Sequence, residues 1–243
     1  LIRHIAYHFP QPLDVARTSE SVDEPTSTAE ADDARAIRRA AADDAAAALF
    51  ASAELELAAL EGLAIAPGHP DSLEALAGPG GTLLTSIRDA AALVARANAA
   101  FDGVIALRSP RWTIAALVRR AAAYETLATA IRNAPLRLPP TLTPPGPPVG
   151  VRADVEARIR AALEPEAQVI ECLGLYNYLS ASRVARSGGL ADTDARAADA
   201  RLRSYDDVRI TECVERMRRG DRAHGIPGDL TIAPYAPGEL GPA

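Results

Sequence analysis

Two histidines stand four residues apart near the start of the chain, His4 and His8, where imidazoles on one helical face could hold a metal ion. No third His, Cys or carboxylate accompanies them at ligand spacing, and Pro10 limits any helix there. His69 and His224 sit in Pro/Gly turns, where a solvated ring is the expectation. Gly78-Pro79-Gly80-Gly81-Thr82 precedes a helical stretch, and its amides could cradle a phosphate. A phosphate loop would need a preceding strand, the right spacing and a lysine; the chain contains no lysine at all, so a plain loop is expected. Glu54, Glu56 and Glu61 could serve as acid and base, yet no His or metal ligand joins them and they read as a solvated face. Ser180, Ser182 and Ser187 lack the G-x-S-x-G setting of a nucleophile elbow. No catalytic, metal-ligating or cofactor-binding residue is assigned.

Cys172 and Cys213 fall on separate predicted helices. The favoured reading is two buried thiols acting as small hydrophobes. A bridge between them would close a loop of about 40 residues and add roughly 3–4 kcal/mol if the helices pack together. Arg108, Arg111, Arg119 and Arg120, followed by Arg132 and Arg137, make one stretch basic, with Glu125 the only nearby acid. Arginines spread over alanine-rich surface account for most of that pattern. The first four are also the candidate surface for an acidic partner segment.

The elements that carry these residues are helical. The 243 residues are 48% apolar but only 4% aromatic. Alanine makes up about a fifth of the chain, well above ordinary usage. All 26 basic residues are arginine. A net charge of −6 argues against a general nucleic-acid binder. No apolar run is long enough for a membrane-spanning helix, and two cysteines are too few for a disulfide scaffold.

Five helices are predicted. The first starts at Ser27 or Thr28, with Glu30, Asp32 and Asp33 in its first turn, and runs to about Leu63 with Leu49, Ala53, Leu57 and Leu60 as its buried stripe. A weak segment at 71–77 leads into a second helix, Thr82 to Leu107, with Leu83, Ile87, Leu93 or Val94, Ala97, Phe101, Val104 and Ile105 as its apolar face. Ser109 and Pro110 start the third, which continues through Trp112, Leu117, Ala121, Tyr124, Leu127 and Ile131 to Asn133. The fourth covers about Val151–Ser187, kinked or broken at Pro165, with Val169, Leu173, Tyr176 and Leu179 or Ser180 on one face, and Ser187-Gly188-Gly189 ends it in a C-cap pattern. The fifth runs unbroken from about Asp192 to Arg219. No strand pattern longer than four residues occurs, so the fold is all-α: antiparallel helical hairpins stacked as a solenoid or bundle.

Residues 1–27 read as an extended linker and 220–243 as an irregular tail, leaving a helical domain over 28–219. Residues 135–150 hold seven prolines, which forbid helix and make a stiff connector. The opening Leu1-Ile2-Arg3-His4 lacks an initiator Met and no signal peptide is visible, so the chain reads as a piece or processed form of a longer protein.

The end of the second helix reads Ala97-x-x-x-Phe101-x-x-Val104-Ile105 before Ser109-Pro110; the third gives Trp112, then Leu117-x-x-x-Ala121-x-x-Tyr124. Small residues let helix backbones approach and the aromatics fill the space between neighbouring pairs, the spacing of tetratricopeptide repeats. Phe101, Trp112, Tyr124 and Tyr176 are thus the expected packing residues. Ser109 to Pro135, followed by Leu163-Glu164-Pro165-Glu166-Ala167 and Leu175-Tyr176-Asn177-Tyr178-Leu179-Ser180, resembles the C-terminal region of large tetratricopeptide-repeat proteins of myxobacteria and relatives. The resemblance covers about residues 45–205; the segment after Arg203 lies outside it. It implies an interaction scaffold without catalysis, in the periplasm or at the outer membrane, with a protein or peptide partner and no cofactor. The alternative is a helical-bundle enzyme or small-molecule binder whose core pocket gathers Tyr124, Glu171, Tyr176 and Asn177. A structural spacer without an open groove is the third reading.

Overall fold

A computed structural model describes residues 28–77, 81–138 and 149–218. The expected N-terminal linker, the C-terminal tail, most of the proline connector, and His4, His8, Gly78–Gly80 and His224 lie outside the described residues. The described residues form α1 (Thr28–Ala58), α2 (Leu73–Ala77), α3 (Thr82–Ala106), α4 (Pro110–Arg132), α5 (Val149–Gly188), α6 (Thr193–Leu202) and α7 (Asp207–Arg218), with no strand among them. The all-α expectation holds.

Helix α4 is the axis of the fold. It packs on α1, α3, α5 and α6, most extensively on α5. Its five residues Ile114–Val118 are all buried, and the eleven residues Cys172–Ser182 of α5 are likewise buried on every side. Close approach of these two helices depends on small residues. A Cβ added at Gly174 would stand 3.1 Å from the Ala121 carbonyl oxygen, so a larger residue there would push α5 away from α4. The main core joins α3, α4, α5, α6 and α7. A second cluster clips α1 onto the α3–α4 hairpin: Phe50 lies 5.6 Å from Phe101 and 5.2 Å from Trp112, ring centre to ring centre. Phe101, Tyr124 and Tyr176 are buried as expected, whereas Trp112 is half-buried at the edge of this cluster.

Several boundaries differ from the sequence expectation. Helix α1 stops at Ala58 and the chain turns through 59–62, where Gly62 takes a φ of +75° that a side chain would resist. Its buried stripe is Ala46, Phe50 and Ala53, with Leu57 partly buried and Leu60 buried in the turn beyond; Leu49 is 44% exposed. One step of register moved the aromatic inward, because Phe buries more apolar surface than Leu. Helix α4 does begin at Pro110, but the Ser109 hydroxyl makes no capping hydrogen bond. Helix α5 runs through Pro165 over 40 residues; the proline sits on an exposed position of the helix. It ends at Gly188, and Gly189, at φ +61°, lets the Leu190 amide reach back 2.9 Å to the Ala185 carbonyl.

The expected fifth helix is two helices. The Ser204 hydroxyl donates to the Arg201 carbonyl at 2.6 Å, ending α6, and the Asp206 carboxylate accepts from the Arg209 amide at 2.6 Å, starting α7. The reversal brings α7 onto α5, and Cys172 and Cys213 form a disulfide with a Cα–Cα distance of 4.9 Å. The reading of two free buried thiols is therefore corrected.

Candidate functional site

Among the described residues, one face of α4 is left uncovered. Ala122, Thr126, Thr129 and Asn133 recur at spacings of four, three and four, so they align along the helix. The stretch Leu63–Ile65 that follows α1 forms the facing wall, Pro135 closes one end and Arg201 of α6 the other. The result is an open groove of about 490 Å³. Thr126 and Thr129 are exposed on its floor, and the Thr126 hydroxyl donates to the Ala122 carbonyl at 2.9 Å.

Glu125 is the anchor at the α6 end. Its carboxylate accepts from the Tyr205 hydroxyl at 2.6 Å, the Arg201 Nε at 2.8 Å and the Tyr178 hydroxyl at 3.2 Å. The Arg201 guanidinium also lies 5.3 Å from the centre of the Tyr205 ring. Burial, reinforced by the neighbouring Glu125 carboxylate, pushes both phenols well above the ordinary tyrosine range. They stay protonated and act as donors, so the Glu125 carboxylate at this end of the groove is held by three hydrogen bonds.

A second network lies one turn-pair further along the α4–α5 seam. Arg132 pairs with Glu171 at 2.9 Å and with Glu164 at 3.2 Å, and Arg209 of α7 reaches Glu171 at 2.7 Å. Burial alone would raise the Glu171 pKa; hydrogen bonds from Arg132 and Arg209 outweigh it and hold the carboxyl below its usual range. The Glu171 hydrogen bond in turn raises Arg132. Arg160 caps the same end of α4, donating to the Arg132 carbonyl at 2.8 Å.

The four arginines expected to form a partner surface do not share one. Arg108, at φ +56°, is exposed on the turn between α3 and α4, and Arg111 is exposed in the first turn of α4. Arg119 is turned inward to Glu54 at 2.6 Å and Asp194 at 3.1 Å, and ties α1, α4 and α6 together. Arg120 is 2% exposed and bonds Asp102 of α3. Helix α4 is covered on too many sides for all its arginines to face solvent.

The residues of the pocket alternative also lie elsewhere. Tyr124 and Tyr176 are in the core, the Asn177 amide donates to the Leu173 carbonyl at 2.7 Å, and Glu171 is held by two arginines. None of the four lines the groove. The serines bind locally: Ser180 to the Tyr176 carbonyl, Ser187 to that of Val184, and Ser182 to the Asp199 carboxylate. Glu54 pairs with Arg119, and Glu56 lies 3.7 Å from Arg96. His69 contacts Arg137 at 2.6 Å. Among the described residues no group of three His, Cys, Asp or Glu side chains could hold a metal ion.

Sequence reasoning passed over the groove because Thr126, Thr129 and Asn133 look like ordinary surface residues. The signal for the networks was present: Glu125 and Arg132 on α4, and Glu164, Glu171 and Tyr178 on α5, are spaced by seven. Seven residues is two turns, so each set lies along one seam. No protein-family model, curated protein or solved structure matches the chain.

Proposed function

We propose that this chain is a non-catalytic helical scaffold that holds an extended segment of a partner protein in the α4 groove, as part of a bacterial cell-envelope assembly. The observation that carries the reading is the open groove of about 490 Å³ along one face of α4, its α6 end held by Glu125 and its hydrogen-bonding tyrosines. From Ala122 to Asn133 it spans about 17 Å of helix. That length matches about five residues of extended peptide. Thr126, Thr129 and Asn133 offer hydrogen-bonding groups to a peptide backbone, and Leu63 and Ile65 offer apolar contact.

The resemblance to tetratricopeptide-repeat proteins supports the same role. The helices differ in length from that pattern: α3 and α4 have 25 and 23 residues, whereas a repeat holds both of its helices in about 34. A diverged arrangement of long hairpins is the reading that fits both. The Cys172–Cys213 disulfide supports an extracytoplasmic setting, since thiols in the bacterial cytosol are kept reduced. No helix among the described residues is long and apolar enough to cross a membrane.

The test is a peptide array probed with the full chain. Peptides should bind with Kd values in the micromolar range, and Thr129→Trp, which fills the groove, should weaken them at least about tenfold while the thermal melt is retained. Binding indifferent to Thr129→Trp would place the partner surface elsewhere.

A further inference from the structure

Helix α1 has two apolar sides, and among the described residues only one is covered. Ala46, Phe50, Ala53 and Leu57 face α3 and α4. Half a turn away, Ile37, Ala41, Ala48, Ala51 and Leu55 are all exposed, Ile37 by 70% and Leu55 by 76%. Ile37 and Leu55 are 18 residues apart, which is five full turns, so they point in the same direction. Between Ala31 and Ala45 no residue is buried, so the first half of α1 packs little against the other described residues. A lone helix of that length is marginal in water and gains its stability by packing an apolar face.

We infer that this face binds a second copy of the chain, α1 against α1, antiparallel about a two-fold axis near Ala46. The pattern is self-complementary about that point. Ile37 and Leu55 lie nine residues to either side of Ala46, so antiparallel pairing sets Ile37 of each copy on Leu55 of the other. A two-fold contact is isologous and makes each pairing twice. Arg38 and Glu56 are also five turns apart and share the next position around the helix, so the same register brings opposite charges together along one edge. The alanines between let the backbones approach. The free half of each α1 then lies along the outer face of the other helix, opposite the side occupied by α3 and α4. A contact about 37 Å long and roughly 12 Å wide would bury about 900 Å² in total, the scale of a weak, concentration-dependent dimer. Asp44 lies within the face and opposes the association. The inference does not rest on the groove reading, since the two surfaces are separate.

Sedimentation equilibrium of the full chain tests it. We expect a monomer–dimer equilibrium with a Kd of micromolar order. Ile37→Asp with Leu55→Asp should raise that Kd at least about tenfold and leave the thermal melt of the monomer unchanged, because both side chains are exposed. Arg38→Glu should weaken the dimer and Arg38→Glu with Glu56→Arg should restore it, while Asp44→Ala should tighten it. For orientation, a mixture of Ile37→Cys and Leu55→Cys chains should cross-link between position 37 of one copy and 55 of the other. A monomer at every concentration up to about 1 mM, or cross-linking of 37 to 37 in preference to 37 to 55, would overturn the proposal.

Discussion

The Tyr205 hydroxyl donates to Glu125 Oε1 at 2.6 Å and thereby fastens the turn between α6 and α7 to the middle of α4. The same carboxylate holds Arg201 and Tyr178, so one acid on α4 gathers α5, α6 and the turn that follows. Tyr205→Phe removes one donor while leaving the ring in place. It should lower stability by about 1.5–3 kcal/mol, the range for a hydrogen bond to a charged group. Urea unfolding would measure this, and a variant as stable as the parent would show that the turn is held by packing alone.

The disulfide closes a loop with a sequence separation of 41. The Cys172→Ser, Cys213→Ser double variant should lose roughly 4 kcal/mol on the loop-entropy argument. A reductant added to the parent protein should produce a similar loss, and it should leave the variant unaffected. Equal unfolding midpoints with and without reductant would contradict the bridge.

Glu171 and Glu164 are held below the ordinary glutamate pKa, chiefly against burial in the first and by the Arg132 hydrogen bond in the second. A depressed folded-state pKa stabilises the fold at pH values above the unfolded value, about 4.3, and that contribution is lost as acid protonates the folded carboxylate. Asp102 has the opposite sign: burial raises it despite Arg120, so its stabilising contribution is lost as pH rises through the folded value. Melting temperatures of the parent and Glu171→Gln should therefore differ at pH 7 and converge toward pH 3. A gap independent of pH would mean that Glu171 is not ionised in the fold.

Asn98 is 4% exposed on α3, and neither atom of its amide finds a hydrogen-bond partner among the described residues. A buried amide left unsatisfied costs about 1–3 kcal/mol. Asn98→Leu, similar in volume and apolar, should raise the stability of the protein by about 1 kcal/mol or more. Destabilisation by that substitution would show that the amide is satisfied in solution.

Trp112 packs at the edge of the smaller cluster, its ring tilted against Phe50 with centres 5.2 Å apart. Because it is half-buried, Trp112→Ala should cost about 2–3 kcal/mol, below the cost of emptying a sealed site. The loss should be concentrated in the attachment of α1, visible as faster hydrogen exchange across Ala46–Leu57 than across α5. Uniform acceleration would mean that the two clusters unfold together.

The helical type of the described residues was legible from period alone, though the number of helices was not. Ser109-Pro110 and Gly188-Gly189 marked their boundaries because each needs a specific backbone conformation. Choices within one turn were not legible. Leu49 and Phe50 fit the same stripe, and only the shape of the α3–α4 hairpin selects Phe50. The break at 203–206 hid in a continuous helical pattern, since Ser204 and Asp206 are tolerated inside helices until their side chains bind the backbone. The arginines were misplaced for a related reason: period tells which side of α4 a residue occupies, but α4 is covered by four other helices, so a polar side can still face inward. The groove is assembled from 63–65, 122–135 and Arg201, distant stretches that no local pattern connects.

The bridge from α5 to α7 has a consequence for cleavage. Residues 172 to 213 form a covalently closed ring that contains all of α6 and the exposed turn at Arg203 and Ser204. A protease that cuts at that turn opens the ring without dividing the molecule. The two pieces remain joined through sulfur, with Glu125 still gripping Arg201 on one side of the cut and Tyr205 on the other. Such a nicked chain would migrate as one species until a reductant separates it.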